Sequence, residues 1–115
     1  MKILIIDDSF FQRKVISNMI SDIGHEPILA ASGEEGLGLF STIKPDGVIL
    51  DLLMPRLSGK EILKKLQDEG NEVPIVILSA DIQKSVEQAC LNLGASFFLH
   101  KPLVKEELQN CINNF

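Results

Sequence analysis

The sequence predicts an α/β fold in which five parallel strands alternate with five helices that cover both faces of the sheet. Five short apolar runs recur along the chain, and several are continuous in Ile, Leu and Val, as strands buried on both faces must be. Between them lie segments of about helix length with apolar residues at helical spacing. This repeated strand-helix order within 115 residues favours a (βα)5 doubly wound, three-layer sandwich.

The strands are predicted from the apolar runs themselves. They are KILIID (2–7), EPILAA (26–31), DGVILD (46–51), VPIVIL (73–78) and SFFLH (96–100). Each run has the length of an ordinary strand and is too short for a buried helix.

The helices are located by their caps and their apolar faces. Asp8 or Ser9 is expected to cap the first helix, and Gly94 is expected to end the fourth. The starts of the second and third helices follow from two pairs with capping-box spacing, Ser32 with Glu35 and Ser58 with Glu61. The apolar faces of the last two helices are Val86, Ala89, Cys90 and Leu93, then Leu108, Cys111, Ile112 and Phe115.

Composition and charge limit the class of protein. With 45% apolar residues the chain can bury a core, and without a linker-like tract we expect one domain over residues 1–115. Sixteen acidic residues against 11 Lys and Arg give a net charge of −5, so direct nucleic acid binding is not expected.

No apolar run approaches the ~20 residues that span a bilayer, and the opening MKILIIDD is too short for a signal peptide. We therefore expect a cytoplasmic protein without membrane insertion. Cys90 and Cys111 have no CxxC spacing and lie on apolar helix faces, which favours two reduced thiols in the core over a disulfide or a metal pair.

Polar residues follow four of the five strands, where open parallel sheets bind their ligands. They are Asp7 and Asp8 after the first strand, Asp51 at the end of the third, Ser79 after the fourth, and Lys101 with Pro102 after the fifth. Singly, each of these could be a helix cap. Three carboxylates at one edge repel each other, however, and a divalent cation would compensate that charge.

The chemical nature of the donor atoms limits which ion or group can bind at this edge of the sheet. Carboxylate oxygens without His or Cys favour Mg²⁺, Mn²⁺ or Ca²⁺ over zinc. Mg²⁺ keeps several waters and is commonly held by one or two carboxylates together with a phosphate. Lys101 and Ser79 offer a positive charge and a hydroxyl to phosphoryl oxygens, so a phosphate ligand or a phosphorylated side chain is expected.

These residues resemble the receiver domains of two-component response regulators over essentially the whole chain. The matching motifs are Asp7-Asp8, DLLMPRLSG from Asp51 to Gly59, Ser79-Ala80 and Lys101-Pro102. Each is weak alone, but their order and spacing on five strand-helix units are specific. The resemblance implies a flavodoxin-like sheet of order 2-1-3-4-5, in which the first and third strands are neighbours.

The resemblance also implies the chemistry. Asp51 would accept a phosphoryl group from the phosphohistidine of a sensor histidine kinase or a phosphotransfer protein. Asp7, Asp8 and Asp51 would hold Mg²⁺, with Mn²⁺ as a substitute, and the main-chain carbonyl of Leu53 would add an oxygen. Lys101 would pair with a phosphoryl oxygen and, before phosphorylation, with Asp51. The chain would then be a signalling switch and not a metabolic enzyme.

The switch implied by the resemblance consists of Ser79 and Phe98, although Phe98 has plain core packing as an alternative role. Pro102 would follow a cis peptide bond with Lys101. The surface that changes would be helix four, strand five and helix five, roughly residues 81–115, and it would contact a downstream output protein or a fused effector domain.

Some positions depart from the commonest family pattern. Ser79 replaces a frequent Thr and Phe98 a frequent Tyr, and neither change removes the group that the mechanism needs. Leu53 and Asp81 fall where side chains border the acyl phosphate in relatives. Because Leu53 cannot orient a water, we predict slow autodephosphorylation.

Three other functions compete with this interpretation. A pseudo-receiver would keep the fold as an interaction module without phosphorylation, yet the complete residue set argues against it. A hydrolase of the haloacid dehalogenase type expects DxDx after the first strand, where this chain has DDSF. A flavodoxin would need a phosphate-binding first loop and a Trp or Tyr for the flavin, and the chain has neither aromatic residue.

Overall fold

A computed structural model describes residues 1–115 and contains five strands and five helices in strict alternation. The strands are β1 (Lys2–Ile6), β2 (Glu26–Ala30), β3 (Gly47–Asp51), β4 (Ile75–Ser79) and β5 (Phe97–His100). The helices are α1 (Phe10–Asp22), α2 (Gly33–Ile43), α3 (Gly59–Asp68), α4 (Lys84–Asn92) and α5 (Lys105–Asn113). The predicted alternation is confirmed.

All strand pairs are parallel and the sheet order is β2-β1-β3-β4-β5, which confirms the order implied by the family resemblance. The strand order reverses between β1 and β3, because β1 continues to β2 on one side while β3 continues to β4 and β5 on the other. In an α/β sheet this reversal leaves a crevice at the carboxyl ends of the two central strands.

Two apolar clusters fill the space on the two faces of the sheet. One contains Ile62 and Leu66 of α3 and Cys90 of α4, with residues of α2 packed against it. The other contains Ile16 of α1 and Leu108 of α5. Helices α2, α3 and α4 therefore cover one face and α1 and α5 the other. Cys90 and Cys111 are buried free thiols, as predicted.

The first three helices begin at serine caps. The Ser9 hydroxyl accepts a hydrogen bond from the Gln12 N–H, so Ser9 and not Asp8 caps α1. Ser58 and Glu61 form a reciprocal capping box at α3. At α2 only the serine half of the predicted box forms. The Glu35 carboxylate there accepts from the Ala31 N–H, one residue before the cap.

Strand β4 begins two residues later than the predicted run 73–78. Both main-chain groups of Val73 are bonded to the Asn71 side chain, whose amide donates to the Val73 carbonyl and whose oxygen accepts from its N–H. Pro74 has no N–H to donate to a neighbouring strand. Apolar residues alone therefore did not define the start of the strand.

None of the helices combines the length and the apolar content that a membrane span requires.

Candidate functional site

Three carboxylates meet at the carboxyl ends of β1 and β3. Asp51 is the last residue of β3, and Asp7 and Asp8 follow directly after β1. Because β1 and β3 are neighbours in the sheet, one oxygen from each of the three side chains lies within 4.8 Å of the others. This is the crevice at the reversal of strand order, where ligands of open parallel sheets bind.

Asp7 and Asp8 differ although they are adjacent. Asp8 is exposed, whereas Asp7 is buried, and one of its oxygens accepts the Ser9 N–H at 2.8 Å. Its second oxygen, Oδ2, is buried without any hydrogen-bond partner. Burial raises the pKa of Asp7, the Ser9 hydrogen bond opposes that rise, and the negative charge of Asp51 adds to it.

Asp51 is buried and forms an ion pair with Lys101. The Lys101 Nζ donates to the Asp51 Oδ1 at 2.9 Å, and the two side chains are 21% and 6% exposed. Burial raises the pKa of Asp51, while the hydrogen bond and charge of Lys101 and the Leu53 N–H act against that rise. The net direction is upward because desolvation outweighs the single cation. Lys101 therefore offsets only part of the negative charge of the three carboxylates.

Ser79 connects the site to the loop that follows β4. Its buried hydroxyl oxygen accepts the Asp81 N–H at 2.9 Å, and the Asp81 carboxylate in turn accepts the Gln83 N–H at 2.9 Å, just before α4. The Ser79 carbonyl accepts the Lys101 N–H, also at 2.9 Å. The peptide bond between Lys101 and Pro102 is cis. Ser79 therefore lies between the start of α4 and the residue that holds Asp51.

Phe97 and Phe98 lie on opposite faces of β5 and are both half-buried, since β5 is an edge strand. Phe97 stacks on Phe115 with ring centroids 6.2 Å apart. Phe98 packs against the core on the α3 and α4 side and contacts the His100 ring edge-on at 5.3 Å. The Phe98 side chain is therefore only partly packed, and part of its surface stays exposed.

A small cavity with both apolar and polar lining residues lies beside the site. Leu53 is 72% exposed two residues after Asp51 and lines a cavity of about 200 Å³ together with Asp81 and Val86. Larger grooves of about 460 and 560 Å³ lie away from the carboxylates, beside α1 and along α3. None of these cavities is lined by Asp7, Asp8 or Asp51.

Sequence reasoning missed Arg13, whose guanidinium donates to the main-chain carbonyl of Asp7 at 2.7 Å. Residue types do not show which side chain donates a hydrogen bond to a main-chain carbonyl. The available signal was an arginine in the second turn of the helix that follows the acidic pair.

A family model for the response regulator receiver domain matches residues 3–113. The chain belongs to this family. Receiver domains are signalling modules of two-component systems and not metabolic enzymes; they bind Mg²⁺ at an acidic pocket and interact with histidine kinases and output effector domains.

Known proteins agree with this assignment. The chain is 38% identical over 107 residues to the response regulator MprA of Mycolicibacterium vanbaalenii, covering 93% of this chain and 46% of the relative. It resembles the receiver domain of the Francisella response regulator 1452 at 30% identity and a TM-score of 0.94, covering 98% and 93% of the two chains. The chemotaxis protein CheY4 of Vibrio cholerae is similar at 30% identity and a TM-score of 0.89, covering 98% and 96%.

The chain therefore spans about half the length of the curated relatives it matches, but nearly the whole of the two solved structures.

Proposed function

We propose that this chain is a phosphorylation-activated switch, one receiver domain over residues 1–115, with Asp51 as the phosphoacceptor. One observation carries the proposal. The buried Asp51 carboxylate is paired with Lys101 and lies beside a buried Asp7 oxygen that has no partner. A structural cap would leave neither an unpartnered buried oxygen nor a buried cluster of negative charge.

The donor set fits the Mg²⁺ that receiver domains bind. The unpartnered Asp7 Oδ2 and the nearby oxygens of Asp8 and Asp51 are hard ligands within reach of one small ion. These three residues would hold Mg²⁺, and the Leu53 carbonyl would add a fourth oxygen. When bound, the ion supplies the positive charge that lets a carboxylate and phosphoryl oxygens approach each other.

In the proposed reaction an Asp51 oxygen attacks the phosphorus of a phosphohistidine on a sensor histidine kinase or a phosphotransfer protein. The new bond joins that oxygen to phosphorus, the phosphorus–nitrogen bond breaks, and its electron pair stays on the imidazole. The product is an acyl phosphate. Lys101 favours the ionised form of Asp51 before the reaction and would then pair with a phosphoryl oxygen.

The proposed switch follows from the hydrogen bonds of Ser79. Its hydroxyl oxygen accepts the Asp81 N–H, while its own hydrogen is available to a phosphoryl oxygen on Asp51. A movement of this hydroxyl pulls on the chain from Asp81 to Gln83 and thus on the start of α4. Phe98, half-buried on the neighbouring strand, can turn into the space that Ser79 leaves.

The surface formed by α4, β5 and α5 is the part that we propose an output protein or a fused effector domain reads. The start of α5 carries exposed apolar and acidic residues, since Val104 before the helix is 48% exposed and Glu106 and Glu107 lie in its first turn. A partner would therefore detect the position of these elements and not the phosphoryl group itself.

The test is the intact mass of the protein after incubation with acetyl phosphate and Mg²⁺, with Asp51→Asn and an EDTA sample as controls. We expect one phosphoryl adduct on the wild type, labile to hydroxylamine, and none on either control. An unmodified wild type that is folded and binds Mg²⁺ would contradict phosphorylation by a small donor and favour the pseudo-receiver.

Leu53 provides a quantitative prediction for the lifetime of the phosphorylated form. Replacing it by Asn places a polar group at the mouth of the site, where it can orient an attacking water. We expect Leu53→Asn to shorten the lifetime by roughly tenfold, equivalent to about 1.4 kcal/mol in the barrier. The decay of the phosphorylated mass after removal of the donor measures it.

Ile82→Asn is the matched control, since Ile82 is 82% exposed on the neighbouring loop but does not line the cavity. Equal lifetimes for wild type and Leu53→Asn would rule out this role of Leu53.

A further inference from the structure

Arg13 connects helix α1 to the backbone between the two acidic residues of the site. Its Nη1 atom donates to the Asp7 carbonyl oxygen at 2.7 Å. The guanidinium lies 5.8 Å from the centre of the Phe10 ring, one helical turn earlier, and its side chain is half-buried. The contact with the ring, which is itself 73% exposed, adds a weak restraint to that of the hydrogen bond.

The carbonyl that Arg13 contacts belongs to the peptide unit joining Asp7 to Asp8. The orientation of that unit sets the directions in which the two consecutive side chains leave the backbone. The Asp7 carboxylate is held by the Ser9 N–H, which donates to it. The exposed Asp8 carboxylate has no hydrogen bond of its own. The peptide held by Arg13 is therefore the main constraint on where the Asp8 carboxylate points.

The effect of Arg13 on a cation has two opposite components. Its positive charge repels a divalent ion, whereas the hydrogen bond orients the ligands for that ion. Lys14 is the adjacent residue on α1 and carries the same charge, but it is exposed and makes no hydrogen bond to the β1–α1 loop. Removing Lys14 therefore reproduces the loss of charge without the loss of the hydrogen bond.

We propose that Arg13 is a positioning residue, which holds the Asp7–Asp8 peptide so that both carboxylates face a divalent cation. This inference rests on the proposed function, because it assumes that the acidic cluster binds Mg²⁺. It adds a residue outside the acidic cluster to that function, acting through the backbone and not through contact with the ion or with Asp51.

Mg²⁺ titration by calorimetry, without any phosphodonor, tests this on the full chain as wild type, Arg13→Met, Lys14→Met and Asp8→Asn. We expect Arg13→Met to weaken Mg²⁺ binding by roughly tenfold, as for other residues that orient metal ligands. Lys14→Met should bind as tightly as wild type or slightly more tightly. Loss of the Arg13 positive charge would by itself tighten Mg²⁺ binding, so weaker binding by Arg13→Met than by Lys14→Met reports the loss of the contacts that Arg13 makes.

Amide NMR spectra of the same samples separate positioning from general destabilisation. Arg13→Met should shift the Asp8 and Ser9 signals while those of β3 and β4 stay in place. Met suits a half-exposed helical position, and Arg13→Gln, which is too short to reach the carbonyl, is a second variant with the same expected result.

Mg²⁺ binding by Arg13→Met as tight as that of Lys14→Met would overturn the proposal while leaving the proposed function intact. If instead the wild type does not bind Mg²⁺ saturably, or Asp8→Asn binds it equally well, the proposed function fails first. The positioning role of Arg13 then falls with it.

Discussion

The amino-terminal part of the chain, residues 1–80, and the carboxy-terminal part, residues 81–115, differ in how their helices are held. Each helix of the first part begins at a serine whose hydroxyl accepts a main-chain N–H. The two helices of the second part are nine residues each, and the residues before them, Gln83 and Val104, make no side-chain cap. Strand β5 is only half-buried, as is β2 at the other edge of the sheet, whereas β3 and β4 are fully buried.

This difference indicates where the molecule can respond to a change of charge at Asp51. Segments with fewer local hydrogen bonds and less burial open at lower free energy. The second part is also the one attached to the site through Ser79 and Lys101. The proposed metal-binding carboxylates therefore belong to the part with side-chain helix caps, and the proposed moving elements belong to the part without them.

The largest expected difference is between one glycine of each part, Gly59 and Gly94. A Cβ added to Gly59 would lie 2.7 Å from the Asp51 carbonyl oxygen and 2.8 Å from the Leu52 Cα, which are backbone atoms that cannot turn away. We expect Gly59→Ala to lower the free energy of unfolding by about 2–3 kcal/mol.

Gly94 in the second part is the comparison. It has a φ of 102°, but the nearest atom to an added Cβ is 3.6 Å away on Gln67, so only backbone strain opposes the change. Gly94→Ala should cost about 1 kcal/mol. Urea unfolding measures both, and a larger loss for Gly94→Ala would contradict the tighter packing of the first part.

The next largest expected effect is the loss of stability when a helix cap of the first part is removed. Ser58→Ala removes the hydroxyl that accepts the Glu61 N–H and breaks the reciprocal capping box of α3. A loss of about 1 kcal/mol in unfolding free energy is expected. Ser85→Ala on the exposed side of α4 removes the same group without removing a cap, and its stability should match wild type or exceed it.

The smallest effect concerns a cap that the second part lacks. Val104 has the extended backbone of a capping residue, with φ −103° and ψ 129°, and is 48% exposed. Val104→Ser should stabilise the fold by roughly 0.5 kcal/mol, since its hydroxyl can accept an N–H in the first turn of α5. Val104→Ala controls for the lost methyl groups; equal stability of the two variants would mean that the cap does not form.

Periodicity, burial and capping chemistry predicted the elements of the fold, because these are properties of short stretches of chain. The strands were found within two residues, and Ser32 and Ser58 correctly marked helix starts. The strand order came from family resemblance, since no local pattern states which strands are neighbours. The start of β4 was misplaced because the Asn71 side chain occupies the main-chain groups of Val73.

Part of the site could also be predicted from the sequence, because some of its features are properties of short stretches of chain. Carboxylates at strand ends could be seen in the sequence, but the unequal burial of Asp7 and Asp8 depends on how the β1–α1 loop folds over. The Arg13 contact was missed, because its acceptor is a main-chain carbonyl that every residue possesses. Residue types alone therefore do not reveal side-chain contacts to main-chain groups.

The most direct test of this account is amide hydrogen exchange by mass spectrometry on wild type and Asp51→Asn, each with Mg²⁺ and excess acetyl phosphate. The fraction phosphorylated is read from the intact mass of the same samples. Relative to the same protein without acetyl phosphate, we expect phosphorylation to change amide exchange chiefly in residues 81–104 of the wild type. Exchange in helices α1 to α3, and throughout Asp51→Asn, should stay unchanged. A fully phosphorylated wild type with unchanged exchange in residues 81–104, or with equal changes in α1 to α3, would contradict it.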